Sequence, residues 1–292
     1  MQDLVTIVMP SMNQAGFIAA AVHSVLSQDY KHLELIVADG CSTDGTQAWL
    51  AQQQALDARL RWVSEPDNGP AHALNKALRM SRGTLIGWLN SDDLYTPGAV
   101  SRAVQALLSN PVWMMVYGHG EHVDAAARLL GPYPTVAPPP SMVQFGQGCF
   151  ICQPTVFFKR TMYVLLGPLD ESLKTAFDFD YWLRAFSSFA GRVGFVDAVQ
   201  AQSRLHVDCI TLRMRRTVIL EGMELLARYL GHAPKEWMLT YVIELLSLPA
   251  NARNVGDVSA HVAETLAQVR PWVTMGEFDV LEREIDQLLL TK

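Results

Sequence analysis

Asp92 and Asp93 close the run Trp88-Leu89-Asn90-Ser91-Asp92-Asp93, directly after the apolar Leu85-Ile86-Gly87. The apolar triplet reads as a buried strand, so two charges arrive together at its carboxyl end. Open α/β sheets bind ligands along that edge, and paired carboxylates there suit a hard divalent cation such as Mg2+ or Mn2+. For these six residues alone, a polar turn capping the helix that Pro97 opens is an equal alternative. Two more carboxylates alter the balance: Asp39 follows the apolar run 33–38, and Asp67 follows the run 60–64. Acids at the ends of three strands repel one another unless a cationic or hydrogen-bonding ligand fills the space between them. A nucleoside diphosphate with its metal is a filler of that kind.

Bringing these groups to one edge requires a repeating strand–helix frame, and the first half of the chain has one. Val5-Thr6-Ile7-Val8-Met9 is a short β-branched strand ended by Pro10, and Phe17, Ile18, Ala21, Val22, Val25 and Leu26 then recur at helical spacing. Strands at 33–38, 60–64, 85–87 and 112–117 alternate with helices that begin after Thr46 and span 71–80 and 99–108. Repeated units of this length define an α/β fold with a mostly parallel, doubly wound sheet. No G-x-G-x-x-G follows the first strand and no Walker lysine motif occurs, which disfavours a dinucleotide site and a P-loop.

The 292 residues are 50% hydrophobic and 18% charged, enough to bury a large core. A net charge of −6 without a basic domain argues against nucleic acid as a partner. No basic leader and no apolar run approaching ~20 residues is visible, so the expectation is a cytoplasmic chain without a membrane span. The four cysteines read as reduced thiols. Cys149 and Cys152 have C-x-x-C spacing, but with no second pair they are expected as buried strand thiols and not as zinc ligands.

The second half is less regular. His119-Gly120-Glu121-His122-Val123-Asp124 reads as a hairpin turn with exposed histidines, and 132–140, with five of the fifteen prolines, as a loop or extended crossover. The apolar, β-rich segment 148–159 returns to the sheet. Asp178 falls at or just before a helix whose apolar face includes Trp182, Leu183 and Phe186, and an N-cap role alone would account for it.

The chain resembles family 2 glycosyltransferases of the GT-A fold over roughly residues 4–210. The motifs that carry the resemblance are Thr6-Ile7-Val8-Met9-Pro10-Ser11-Met12-Asn13-Gln14, Val37-Ala38-Asp39-Gly40-Cys41-Ser42-Thr43-Asp44-Gly45-Thr46, Ser64-Glu65-Pro66-Asp67-Asn68-Gly69 and the Asp92-Asp93 run. Phe150-Ile151-Cys152-Gln153-Pro154, Leu169-Asp170-Glu171-Ser172-Leu173, Asp178-Phe179-Asp180-Tyr181-Trp182 and Arg204-Leu205-His206 continue them in order. The resemblance implies a GT-A domain over 1–210, with a nucleotide-binding half at 1–118 and an acceptor-side half at 119–210. It implies a nucleotide-sugar surface formed by Pro10, Ser11, Asn13, Asp39, Asp67, Asn68, Asn75 and Asp92, with Asp39 accepting from a base N–H. Asp93, Asp92 and His206 would hold Mn2+ or Mg2+, and Asp178 would be the general base of an inverting sugar transfer. Asp170, Glu171 and Trp182 would lie on the acceptor side. Met12 stands where the family usually has a tyrosine, which leaves UDP as the favoured donor with dTDP and GDP open.

Beyond residue 210 the resemblance ends, and 211–230, 234–248, 258–269 and 276–290 read as helices of a C-terminal extension over 211–292. Arg213, Arg215 and Arg216 beside apolar neighbours fit either packing, including a homodimer, or peripheral contact with the inner face of a membrane. The expected activity is a metal-dependent glycosyltransferase acting on a glycan or lipid-linked acceptor in surface polysaccharide or glycoconjugate synthesis. The alternatives are a nucleotidyltransferase acting on sugar phosphates, which would want a basic residue absent from 11–16, and a catalytically degenerate binding module.

Overall fold

Val5–Ser11 (β1) and Leu33–Asp39 (β2) are buried at every position, the pattern of parallel strands covered on both faces. The computed structural model that shows this describes residues 3–137, 141–249, 253 and 255–290. The end of the proline-rich stretch, 138–140, lies outside the described residues. The chain divides into two units, one formed by Met1–Pro140 and Phe150–Val207, the other by Ser141–Cys149 and Asp208–Lys292.

The first unit holds the sheet. After β1 come α1 (Ile18–Leu26), β2, α2 (Thr46–Leu56), β3 (Leu60–Ser64), α3 (Pro70–Met80), β4 (Leu85–Trp88), β5 (Leu94–Tyr95) and α4 (Ala99–Ser109). Then follow β6 (Met115–Val123), β7 (Leu129–Pro132), β8 (Phe157–Lys159), α5 (Arg160–Leu166), α6 (Phe177–Ser188) and β9 (Val193–Arg204). Ile7 and Met9 of β1, with Leu35 and Val37 of β2, share one apolar cluster with Val22 of α1, Leu50 of α2 and Val100 of α4. Alternate strand residues point one way, so a single apolar stripe on each helix is enough to cover that face. Pro70 opens α3 at a position where its missing N–H has no intrahelical partner to lose.

Strand order is β3-β2-β1-β4-β8-β6-β9-β5, with β7 paired to β6. The first four strands are parallel, and their register sets Ser11 beside Asp39 and Asp39 beside Ser64. Their carboxyl ends therefore form one edge. Antiparallel β8 lies between β4 and β6, β9 runs parallel to β6, and β5 pairs antiparallel with β9 through Leu94 and Gln202. Because β5 follows the acidic run directly, this pairing draws residues 89–93 to the end of β9.

Two segments differ from their sequence expectation. His119 to Val123 is strand, paired with β9 and β7, and the turn comes later, where Asp124 Oδ1 accepts the N–H groups of Ala126 and Arg128. The polar residues there misled because this strand has a polar face. In 148–159 only Phe157–Lys159 forms strand. Gln153–Thr155 is a 3-10 turn, since Pro154 has no N–H to give to a ladder. Cys152 thus caps that turn, with its sulfur over Gly120, where an added Cβ would collide with it. None of the four cysteines is in a disulfide.

The second unit is helical. Residues 211–230 do not form one helix: α7 (Ile210–Arg213) breaks at Met214 before α8 (Arg215–Leu230). α9 (Glu236–Ser247), α10 (Val258–Val269) and α11 (Met275–Leu290) follow, and Asp257 caps α10 by accepting from Ser259 and Ala260. Arg215 pairs with Glu244 at 2.7 Å, and Arg216 donates to Thr265 at 2.9 Å, so both arginines are engaged within the unit. Among the described residues, no helix is long and apolar enough to cross a membrane.

Candidate active site

The edge begins with Asp39, the last residue of β2, which is 2% exposed. Its two oxygens accept from the Ser42 N–H, the Ser42 hydroxyl and the Ser64 hydroxyl, so the carboxylate is fixed before any ligand arrives. Gly40 follows, and an added Cβ there would lie 2.5 Å from Asp67 Oδ2 and push that carboxylate away. That close approach brings the β3 loop against the β2 loop, and Asp67 Oδ1 accepts the Gly69 N–H at 2.9 Å. The β1 loop is tied to the same place. Asn13, at a φ of 53°, accepts from the Thr43 N–H and gives its own N–H to Ser42 Oγ. Cys41 also holds a positive φ, 63°, a strained setting for a residue with a Cβ. Pro10 and Ser11 are buried at the end of β1, whereas Met12 and Asn68 are exposed.

The adjacent acids of the β4 loop part company. Asp92 Oδ2 lies 3.1 Å from His206 Nε2, with side-chain exposures of 18% and 7%. Asp93 is 3% exposed and accepts the Arg204 N–H at 2.8 Å, with the Asn90 amide 3.3 Å from its other oxygen. Burial, and then the Asp92 charge, push the Asp93 carboxyl well above the usual carboxylate range. Arg204 organises the whole turn. Its Nε donates to Asp92 O, and its Nη1 to Asp124 O and Ala125 O. Arg204 belongs to one of the motifs that carry the resemblance, but nothing in the sequence says that its guanidinium turns inward.

The two side chains are hydrogen-bonded to each other, and a divalent ion about 2.1 Å from two adjacent ligands of an octahedron would hold them at nearly the same separation, about 3.0 Å, so the same two atoms can serve as its ligands. Among the described residues, no three His, Cys, Asp or Glu side chains converge as a metal cage. A two-ligand site suits an ion that takes its remaining oxygens from phosphates and water.

On the other side, Asp178 lies in the first turn of α6, whose N-cap is Ala176, and accepts the Phe179 N–H at 2.7 Å. Phe177 stacks on Trp88 with centroids 5.7 Å apart, tying the start of α6 to the end of β4. Asp170 accepts the Ser172 N–H and hydroxyl, and Glu171 is exposed.

Asp93, expected as a metal ligand, instead turns inward to the Arg204 N–H and the Asn90 amide, and two further expected site residues are interior. Asn75 is 0% exposed and spends its amide on Leu169 N–H, Leu169 O and Glu171 Oε1. It pins the 169–171 loop and presents no surface to a donor. Trp182 is likewise 0% exposed, with its ring 6.1 Å from that of Trp88, and it supports the site from behind.

A parallel half bearing acidic loops, joined to a mixed half that returns a histidine to the same edge, defines a GT-A type fold. Solved structures share it. S. aureus TarS in complex with UDP-GlcNAc superposes with a TM-score of 0.64, covering 97% of this chain and 91% of that chain at 15% identity. Mannosyltransferase PcManGT from Pyrobaculum calidifontis, in complex with GDP-Man and Mn2+, gives 0.62 over 100% and 88% at 21% identity. At such identities the likeness is one of fold. The chain belongs to glycosyl transferase family 2, whose family model matches residues 6–163. TuaG of Bacillus subtilis (strain 168), a glycosyltransferase assigned provisionally by its name to teichuronic acid biosynthesis, is 38% identical over 108 residues. That alignment covers 37% of this chain and 43% of TuaG, so the chain matches less than half of that relative's length.

Proposed function

We propose that this chain is an inverting, metal-dependent glycosyltransferase that moves a sugar from a nucleoside diphosphate sugar to a hydroxyl of a glycan or lipid-linked acceptor, in surface polysaccharide synthesis. The observation that carries this reading is the Asp92–His206 pair, 3.1 Å apart, at the sheet edge that also holds Asp39. Asp39, fixed by Ser42 and Ser64, accepts an N–H of the base, and Ser11, Asn13 and Asp67 line the approach. Asp92 and His206 would hold the ion, with Asp93 bracing their loop from the interior. When bound, the ion neutralises charge on the departing diphosphate. Asp178 takes the proton from the acceptor hydroxyl as its oxygen bonds to the anomeric carbon and the bond to the diphosphate breaks. One base and one leaving group on opposite faces of the sugar make a single displacement with inversion. UDP is the first donor base to test, given the UDP-GlcNAc complex of TarS, and GDP the second, given that of PcManGT. Four cysteines outside any disulfide support a reducing, cytoplasmic setting. The internal pairing of Arg215 and Arg216 supports packing over lipid contact for the C-terminal helices.

The test is a melting panel of UDP and GDP with and without Mn2+. A ligand at about 100 times its dissociation constant adds about 2.7 kcal/mol. UDP with Mn2+ should raise the melting temperature of the wild type and of Asp93→Asn but not of Asp92→Asn. Asp178→Asn should keep that shift and lose about a hundredfold or more in transfer rate. A wild type that no nucleotide stabilises would sink the reading.

A further inference from the structure

We infer that Phe17 is a positioning residue that sets the ring plane of His206 toward the ion. The inference rests on the ligand role just proposed for Asp92 and His206. Histidine ligands commonly have their ring fixed by a hydrogen bond at the nitrogen facing away from the metal. For His206 the described residues provide an aromatic contact instead: the Phe17 ring lies 4.6 Å from the imidazole, centroid to centroid, at 41°. The Phe17 ring is held in turn, with the Arg204 guanidinium 5.0 Å from its centroid. That guanidinium is fixed by the carbonyls of Asp92, Asp124 and Ala125, so the chain of contacts from the acidic loop through Arg204 and Phe17 closes on His206. Phe17 is also anchored by its backbone, its N–H donating to Gln14 O at 2.9 Å. The same β1 loop is stitched to the β2 loop through Asn13 and through the Ala15 N–H on Asp44. The segment that carries Ser11 and Asn13 to the nucleotide thus also carries the ring that orients the metal histidine.

The experiment measures Mn2+ binding to the full chain in the presence of UDP, by loss of the free-ion electron paramagnetic resonance signal, with UDP binding without metal measured in parallel. Phe17→Leu should weaken Mn2+ binding about tenfold, and Phe17→Tyr, which keeps the ring, should stay within about twofold of wild type. UDP binding without metal should not change in either. If Phe17→Leu melts below the assay temperature, Phe17→Met, similar in volume but without a flat ring, is read in its place. Wild-type Mn2+ affinity in the Leu or Met variant, alongside a loss in His206→Ala, would overturn the role of Phe17 and leave the ligand assignment standing. Equal Mn2+ binding by wild type and His206→Ala would overturn both.

Discussion

Replacing Asn75 by alanine separates a donor contact from an internal brace. The amide is 0% exposed, and both backbone groups of Leu169, itself 3% exposed, depend on it. Alanine leaves that N–H and that carbonyl buried without partners, at about 1–3 kcal/mol each, or about 2–6 kcal/mol together. Glu171 is exposed and exchanges its bond for water at little cost. For a chain of this size about 2–4 °C is lost per kcal/mol, so the melting temperature should fall by roughly 10 °C. The assay is thermal unfolding, with UDP–Mn2+ titration run well below the transition. Donor affinity should hold while acceptor turnover falls, because the freed segment is the 169–171 loop. A stable Asn75→Ala protein that no longer binds the nucleotide would refute the reasoning and return Asn75 to the donor surface.

Gly40→Ala should displace Asp67, whose Oδ2 would lie 2.5 Å from the new Cβ. Calorimetry should show nucleotide affinity falling about tenfold, or about 1.4 kcal/mol. Glu34 is the acid-sensitive group of the sheet: burial pushes its carboxyl up, but hydrogen bonds from Thr6, Arg82 and Arg61 outweigh burial and hold it below its ordinary 4.5. A depressed folded-state value stabilises the fold above the unfolded value and is lost as pH falls through the folded one, so melting temperature should drop below pH ~4.5. Glu34→Gln should melt lower at neutral pH and show a flatter acid limb; an unchanged limb would rule out this source of acid sensitivity.

The parallel half of the fold is legible because β1 and β2 are short apolar runs ended by turn residues, α1 carries a clear helical period, and Asp39 and Asp92 come at strand ends where a ligand edge must form. What the sequence could not show was direction. Asp92 and Asp93 are neighbours of one type, and only the turn built by Arg204 decides which faces out. Asn75 and Trp182 fit a surface role as well as an interior one until the 169–171 loop and the Trp88 ring cover them. His119 to Val123 reads as a turn because its residues are polar and β9, the strand it pairs with along its whole length, lies some 80 residues later, beyond the reach of any local pattern.

The pairing of β9 also bears on how the protein folds. Arg204 contacts Asp92 and Asp93 across 112 and 111 residues, and His206 meets Asp92 across 114. Contacts that close such long loops form slowly, and chains fold from the amino end as they leave the ribosome. The β1–β4 half can acquire its core while β9 is still being made, but the Asp92–His206 pair cannot exist before residue 206 has emerged. A nascent chain can therefore carry an ordered β1–β4 sheet before it carries the Asp92–His206 pair.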